Sequence, residues 1–586
     1  MALVRPQLSA PGVYVQEVPS GVRTITGVST SLTVFFGRAR RGPVGKPVPI
    51  SSYREFEDIF GGLFVDAPMT YSVQDYFLNG GAQAVIVRLF EGATAATGSG
   101  TAATTGTTPA AGTGSATNAA VAKNPVPYAA STAFYTIPAP ASAATPTGGT
   151  TGAGGTTGTG GTTGTTAVST SGFFLVATNP GAWGKNLTVE TNQDNITASV
   201  IGRYKTTDWD ANDLFNLKLT YQRPDNTKDV ETYNLVSLNP KAGSRNLGVI
   251  LDQSSNYVRL ATTADDPTTF GAAPAAHNGA LTDSGALSEG TYTSALDVLD
   301  RMDVFNIVCI PSDSFDGTGD ITGNVYAAAG AKCRNNKAVL LLDPPLKWAH
   351  PDNIDPEKFN ESFGFAPASD IAPQSALYYP RVISADPLRG DAEVTRPASG
   401  IMAGILARTD ATRGVWKAPA GYETGINGIL RLATNLTDME NGKLNQQGVN
   451  CLRSFQVVGP VVWGARTLAG ADVLASDFKY LPVRRLTDYI EQTLLRQTRW
   501  AVFEPNDEPL WAQLRLAIGG FMNDLFRQGA FQGSSRDKAF FVKCDATTTT
   551  QDDINRGIVN IEVGFAPLKP AEFVVIYIEQ MAGQTA

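Results

Sequence analysis

The sequence predicts a multidomain α/β and α+β protein, and three observations carry that reading. At 586 residues the chain is too long for one core, because single hydrophobic cores stop growing at roughly 250–300 residues. Residues 24–91 and 291–432 alternate short apolar runs with helical periodicity, the pattern of strands packed under helices. Residues 173–262 instead hold short runs of period-two alternation separated by turn residues, which reads as a separate β-rich unit.

The elements follow in chain order. Residues 1–23 show no sustained period, and Val13, Tyr14, Val15, Gln16, Glu17 and Val18 form a short strand candidate. A strand is expected over 32–36, helices over Tyr53–Phe60 and 71–79, and a strand over 84–89. Gly80 and Gly81 stop the second helix. From 92 to 172 the composition turns to Thr, Gly, Ala and Ser, with Lys123 the only charged residue. Such a stretch buries too little apolar surface to offset its chain entropy and reads as a surface insertion. A small island over 125–138, with Tyr128, Phe134 and Tyr135, is the candidate for order within it. Strands are then expected at 173–177, 187–190, 196–201, 217–221, 232–236 and 258–260. The α/β pattern resumes with a helix over 292–302, a strand over 304–310, a helix over 325–334, a strand over 338–343 and a helix over 398–407.

The strongest helix signal lies in the stretch 433–565. Asn506 or Asp507 can cap it, Glu508 and Pro509 suit its first turn, and Gly529 ends it. Trp511, Leu514, Ile518, Phe521 and Leu525 recur at helical spacing, which predicts a buried stripe. Gln513, Asn523, Arg527 and Gln528 fall on the opposite, polar side. A preceding helix over 484–499 is expected to bury Leu486, Ile490 and Leu494 and to expose Arg485, Glu491, Arg496 and Arg499. Near the carboxyl end, Phe573, Val574, Val575, Ile576, Tyr577 and Ile578 form a strand that is apolar on both faces and needs cover on both. Two strand candidates on loose termini suit a subunit that pairs with other copies by strand addition. The segments 19–21 and 566–570 are expected to hinge them.

Composition narrows the function. A net charge of −8 without a long basic run argues against an electrostatic grip on nucleic acid. The cluster Arg38, Arg40 and Arg41 reads as a solvated or subunit-contact patch. Cys309, Cys333, Cys451 and Cys544 lack metal-ligand spacing and read as buried free thiols of a reducing compartment. No leader-like or membrane-spanning apolar run is present in the sequence, so assembly in the cytoplasm is expected. His277 and His350 are the only histidines, and no GxSxG elbow accompanies them. The nearest approach to a phosphate loop, Gly42 to Pro47, has the wrong spacing and a proline where a magnesium-binding hydroxyl belongs. No catalytic, cofactor-binding or metal-binding residue is therefore assigned, and no enzymatic activity is expected.

Residues 483–533 and 539–580 resemble the C-terminal domain of contractile tail sheath proteins, the subunits of contractile phage tails and of related bacterial injection particles. Residues 11–43 resemble that family's amino arm and first core strand, and 407–421, ARTDATRGVWKAPAG, resemble its middle motif. The resemblance covers roughly residues 1–91 and 300–586 and implies an amino arm (1–23), a first core segment (24–91), a subtilisin-like α/β middle domain (291–432), an inner domain (433–565) and a carboxyl arm (566–586), while composition and alternation add the insertion (92–172) and an inserted β-rich outer domain (173–290) between them. It implies a helical homopolymer around an inner tube protein, with baseplate and terminator proteins as further partners, neither nucleic acid nor membrane contacted, and no cofactor. It places the inner domain against the tube, with Arg515 and Arg527 as tube-facing candidates and Arg485, Arg496 and Arg499 as their rivals. Contraction would then release energy stored at assembly. A cell-surface adhesin or array protein is the alternative that the Thr/Gly tract raises, and the missing leader counts against it.

Overall fold

The computed structural model describes residues 24–92, 134–137, 173–204, 214–260, 282–355 and 358–575. Its centre is an eight-stranded sheet in the order Gly459–Val462, Val449–Phe455, Ser375–Tyr379, Val339–Leu342, Ile307–Cys309, Thr33–Gly37, Ala84–Arg88, Val48–Ile50. The inner neighbours pair in parallel and the two edge strands antiparallel. Every residue of Thr33–Gly37, Ala84–Arg88 and Val339–Leu342 is buried, as parallel strands covered on both faces must be.

The period of two assigns the faces. Val34, Phe36, Val308, Leu340 and Leu377 point into one core, which the helix Gly323–Asn336 covers through Val325, Tyr326 and Cys333. Phe35, Ile86, Cys309, Leu341 and Tyr378 point into the other, covered by Pro68–Leu78 and Ser399–Arg413. These last two helices approach closely because Gly400 and Gly404 lack side chains. A Cβ at Gly400 would sit 2.2 Å from the Ser72 carbonyl oxygen, and one at Gly404 2.5 Å from that of Tyr76. Helix Ser399–Arg413 has no capping side chain of its own at Ala398. Asp343, at the end of a central strand, accepts from the Ala398 and Ser399 amides at 3.1 and 2.9 Å instead, satisfying orphan N–H groups at the positive end of the helix.

The expected boundary at 432 divides this sheet. Strands Val449–Phe455 and Gly459–Val462 belong to the same sheet as Thr33–Gly37, because their apolar residues Val449, Leu452 and Val462 complete the two central cores.

The β-rich unit forms as a three-stranded antiparallel sheet, Leu187–Asn192, Phe215–Gln222 and Lys228–Val236. Its middle strand alternates buried and half-buried residues. Beside it Phe173–Ala177 pairs with Val258–Leu260 and with Phe134–Ile137, so the island expected in the insertion contributes a strand. The strand expected over 196–201 is instead part of a helix, Ala198–Tyr204. Ile196, Ile201 and Tyr204 gather around Leu214, and that side packing outweighs a short β-like alternation.

The arginine cluster near residue 40 is not the solvated patch expected of it. Arg38 is buried against Asp313, with Nε 2.6 Å from Oδ1. Arg41, also buried, lies 5.0 Å over the Tyr221 ring and 5.1 Å over that of Tyr257. Arg38 thus ties together two strand ends of the central sheet, and Arg41 joins the β-rich unit to it. Cys309, Cys333, Cys451 and Cys544 are free and buried. Among the described residues no helix is long and apolar enough to cross a membrane.

Candidate assembly interface

The stretch after residue 480 builds most of a small core, which Ile25 and Val415 join. Helix Glu508–Arg527 starts at Asp507, whose side chain accepts from the Leu510 amide. Trp511, Leu514, Ile518, Phe521 and Leu525 are all buried, and Leu486 and Ile490 of the preceding helix, Leu481–Gln497, share a core with Ile518, Phe521 and Leu525. Leu494 is half-buried. The antiparallel pair Phe540–Lys543 and Glu562–Phe565 closes the unit. Among the described residues this pair gains no third strand, so its outer edges keep free backbone donors and acceptors. Residues 558–561 lead into the pair without forming a strand of their own.

The arginines expected on exposed helix faces separate into groups. Arg485 is not exposed: it is buried, its two terminal nitrogens 2.8 and 2.6 Å from the carboxylate oxygens of Asp410. Sequence periodicity missed this because Asp410 lies on a distant helix that only the fold brings alongside. Arg496 is largely covered and donates to the Asp303 carbonyl and the Gln492 carbonyl. Arg515 turns back to Glu508 at 2.5 Å and to the Cys544 carbonyl. Arg499 and Arg527 are exposed, as are Gln513 and Gln528, with Asn523 half-buried.

The carboxyl arm leaves from the strand Glu562–Phe565. Ala566 is tied at both groups: its amide donates to the Ala539 carbonyl at 2.8 Å, and its carbonyl accepts from the Gln532 amide at 2.9 Å. Six residues on, Glu572 meets Arg466, whose side chain is 0% exposed. The Nε–Oε1 and Nη2–Oε2 distances are 2.8 and 2.5 Å, a bidentate fork. Neither residue stood out in the sequence, since a lone arginine and a lone glutamate 106 positions apart carry no pattern. Beyond the fork, Phe573, Val574 and Val575 are 76%, 82% and 69% exposed and form no strand. Ile576, Tyr577 and Ile578, like the amino-arm candidates Val13, Tyr14, Val15, Gln16, Glu17 and Val18, lie outside the described residues, as does His277. His350 is exposed, 3.3 Å from Asp352. No group of acidic, histidine or cysteine residues suited to a metal occurs among the described residues.

Among the described residues, a layered α/β body thus carries a two-stranded hairpin and an exposed apolar arm. The family model of the phage tail sheath protein central domain matches residues 285–468, and that of the phage tail sheath C-terminal domain matches 475–580. The chain thus matches two domain models of phage tail sheath proteins over just under half of its length. It is 29% identical over 181 residues to the tail sheath protein of Vibrio phage KVP40, a match covering 31% of this chain and 26% of that one. With the tail sheath protein of Burkholderia phage BcepMu it shares 29% identity over 239 residues, 40% of this chain and 48% of the other. The chain thus spans about a quarter of the KVP40 protein and about half of the BcepMu protein.

Solved structures extend the likeness to the whole fold. The anti-feeding prophage baseplate contains a chain with TM-score 0.52 and 20% identity, covering 98% of this chain and all of that one. A sheath complex of an extracellular contractile injection system in the contracted state gives TM-score 0.52 at 19% identity, covering 98% and 99%. A sheath tail protein from Listeria innocua gives 0.52 at 11%, covering 93% and 96%.

Proposed function

We propose that the chain is a sheath subunit that polymerises into a helical cylinder around an inner tube protein and drives the tube out by lattice contraction, using energy stored at assembly. The observation that carries this reading is the arm beyond Glu572: three consecutive large apolar residues stand in solvent with no strand partner. Exposed β-prone segments of this kind are satisfied by pairing with another chain. A head-to-tail pairing that does not close generates a helix rather than a ring. The open hairpin Phe540–Lys543 and Glu562–Phe565 is the acceptor, flanked by Phe573 to Ile578 of one neighbour and Val13 to Val18 of another.

In this reading the unit after residue 480 forms the inner layer and the β-rich unit the outer one, with a subtilisin-like middle domain, completed by the strands Val449–Phe455 and Gly459–Val462, between them. The parallel sheet with helices on both faces supports the middle assignment. Exposed Arg527 and Arg499 become the tube-facing candidates. Assembly takes place in the cytoplasm, and the cylinder is bounded by baseplate and terminator proteins in a phage tail or tail-like particle. Removing residues 573–586, or 2–19, leaves a folded subunit that makes no cylinders, as judged by electron microscopy beside circular dichroism. Cylinders of normal length from either truncation would overturn the proposal.

A further inference from the structure

The segment 566–572 resembles a hinge in sequence, with prolines at 567 and 570, yet it is held at both ends. Ala566 is fixed to the hairpin by two main-chain hydrogen bonds, and Pro567 bridges to Phe531. Glu572 is fixed by Arg466. Between these points Leu568, Lys569, Pro570 and Ala571 roof a cavity of about 970 Å³ whose other walls include Trp416, Trp463 and Asn445. The strap is suspended over space, so its far end depends on the arginine.

Arg466 is built to bear that role. Besides the fork to Glu572, its remaining terminal nitrogen donates to the Asn445 carbonyl at 2.7 Å, the Gly470 carbonyl at 3.1 Å and Asp472 at 3.0 Å. Its own main chain is clasped by buried Asn450 of the central strand Val449–Phe455: the Arg466 amide donates to the Asn450 side-chain oxygen at 2.6 Å, and the Arg466 carbonyl accepts from the Asn450 side-chain nitrogen at 2.8 Å. One residue earlier, the Ala465 carbonyl accepts from the Leu481 amide at the start of the helix Leu481–Gln497. Losing Glu572 would cost this buried arginine its bidentate partner and leave Asp472 as its remaining counterion.

We propose that Arg466 and Glu572 are positioning residues that anchor the root of the carboxyl arm to the central sheet, so that the arm swings at the junction of Glu572 and Phe573 and the segment 566–571 stays in place as a strap. Tension on the arm passes through Glu572 and Arg466 into the strand Val449–Phe455 rather than into the two-stranded hairpin. This rests on the reading of residues beyond 572 as an intersubunit strand, and it places the moving joint six residues later than the prolines suggest.

The test uses spin labels on Ala571→Cys and Val457→Cys in the full chain, diluted into excess unlabelled subunits, with the native cysteines left buried. The parent gives a narrow distance distribution. Glu572→Ala widens it at least twofold and shortens or abolishes cylinders, while Glu572→Gln, which keeps one acceptor oxygen, falls between. An unchanged width in Glu572→Ala overturns the anchor, and a widened distribution with cylinders of normal length overturns its positioning role. A parent chain that makes no cylinders yet shows the twofold widening with Glu572→Ala would count against the sheath reading and leave the anchor standing.

Discussion

Asp75, Asp343 and Asp488 show how burial and charge compete at single residues. Burial pushes each carboxyl up to about 6, against the pull of Arg396 on Asp75, of Ser399 and Arg381 on Asp343, and of Arg484 on Asp488. In the unfolded chain an aspartate holds its proton only below about 4. Between about pH 4 and 6 folding therefore takes up protons, and the contribution of these groups to stability falls as pH rises and stays low above 6. Asp343→Asn removes one such group while keeping an acceptor for the Ala398 and Ser399 amides. Urea denaturation at pH 7 and pH 5 is expected to show the variant gaining on the parent at pH 7 relative to pH 5. Arg485 and Arg527 make a second contrast. Arg485→Ala strands Asp410 and is expected to cost about 3–5 kcal/mol in the isolated subunit. Reversing exposed Arg527 together with Arg499 is expected to shift subunit stability by no more than about 0.5 kcal/mol. The same pair reversal weakens assembly on the tube, read by sedimentation of cylinders.

At the scale of elements, the glycines of helix Ser399–Arg413 are as informative as its apolar residues. Gly400 and Gly404 let it lie on Pro68–Leu78 at a separation that a methyl group would forbid. Gly404→Ala is expected to destabilise the subunit by about 1–3 kcal/mol through overpacking. An unchanged denaturation midpoint would show that the two helices separate without cost. The hairpin Phe540–Lys543 and Glu562–Phe565 makes the opposite case. Among the described residues its edges gain no further strand, and a proline that replaces an outward-facing amide there would block strand addition while sparing the fold. The helix Glu508–Arg527 was legible in full, since its cap, proline, stripe and closing glycine are all local signals. The helix Ala198–Tyr204 was not, because its alternation over six residues fits either period.

At the scale of the whole molecule, the central sheet gathers strands from residue 33 to residue 462. The insertion and the β-rich unit therefore interrupt the chain between Ala84–Arg88 and Ile307–Cys309 without interrupting the sheet. Replacing residues 93–133 with a short Gly/Ser linker, which keeps the strand Phe134–Ile137, is expected to leave folding and cylinder formation intact. Loss of the circular dichroism signal would show that this stretch supports the sheet.

The sequence by itself determined the α/β class, most elements, the buried stripe of the helix Glu508–Arg527, the lack of catalytic patterning and the family resemblance. Those features are written in local periodicity, caps and composition, which act over a few turns of chain. Tertiary structure alone decided that Arg38, Arg41 and Arg485 are internal joints and that residues 449–462 complete the central sheet. It also decided that Glu572 is held by Arg466. Each of these depends on partners tens to hundreds of residues away, and the free energy of a buried charge is set by whichever groups the fold places beside it.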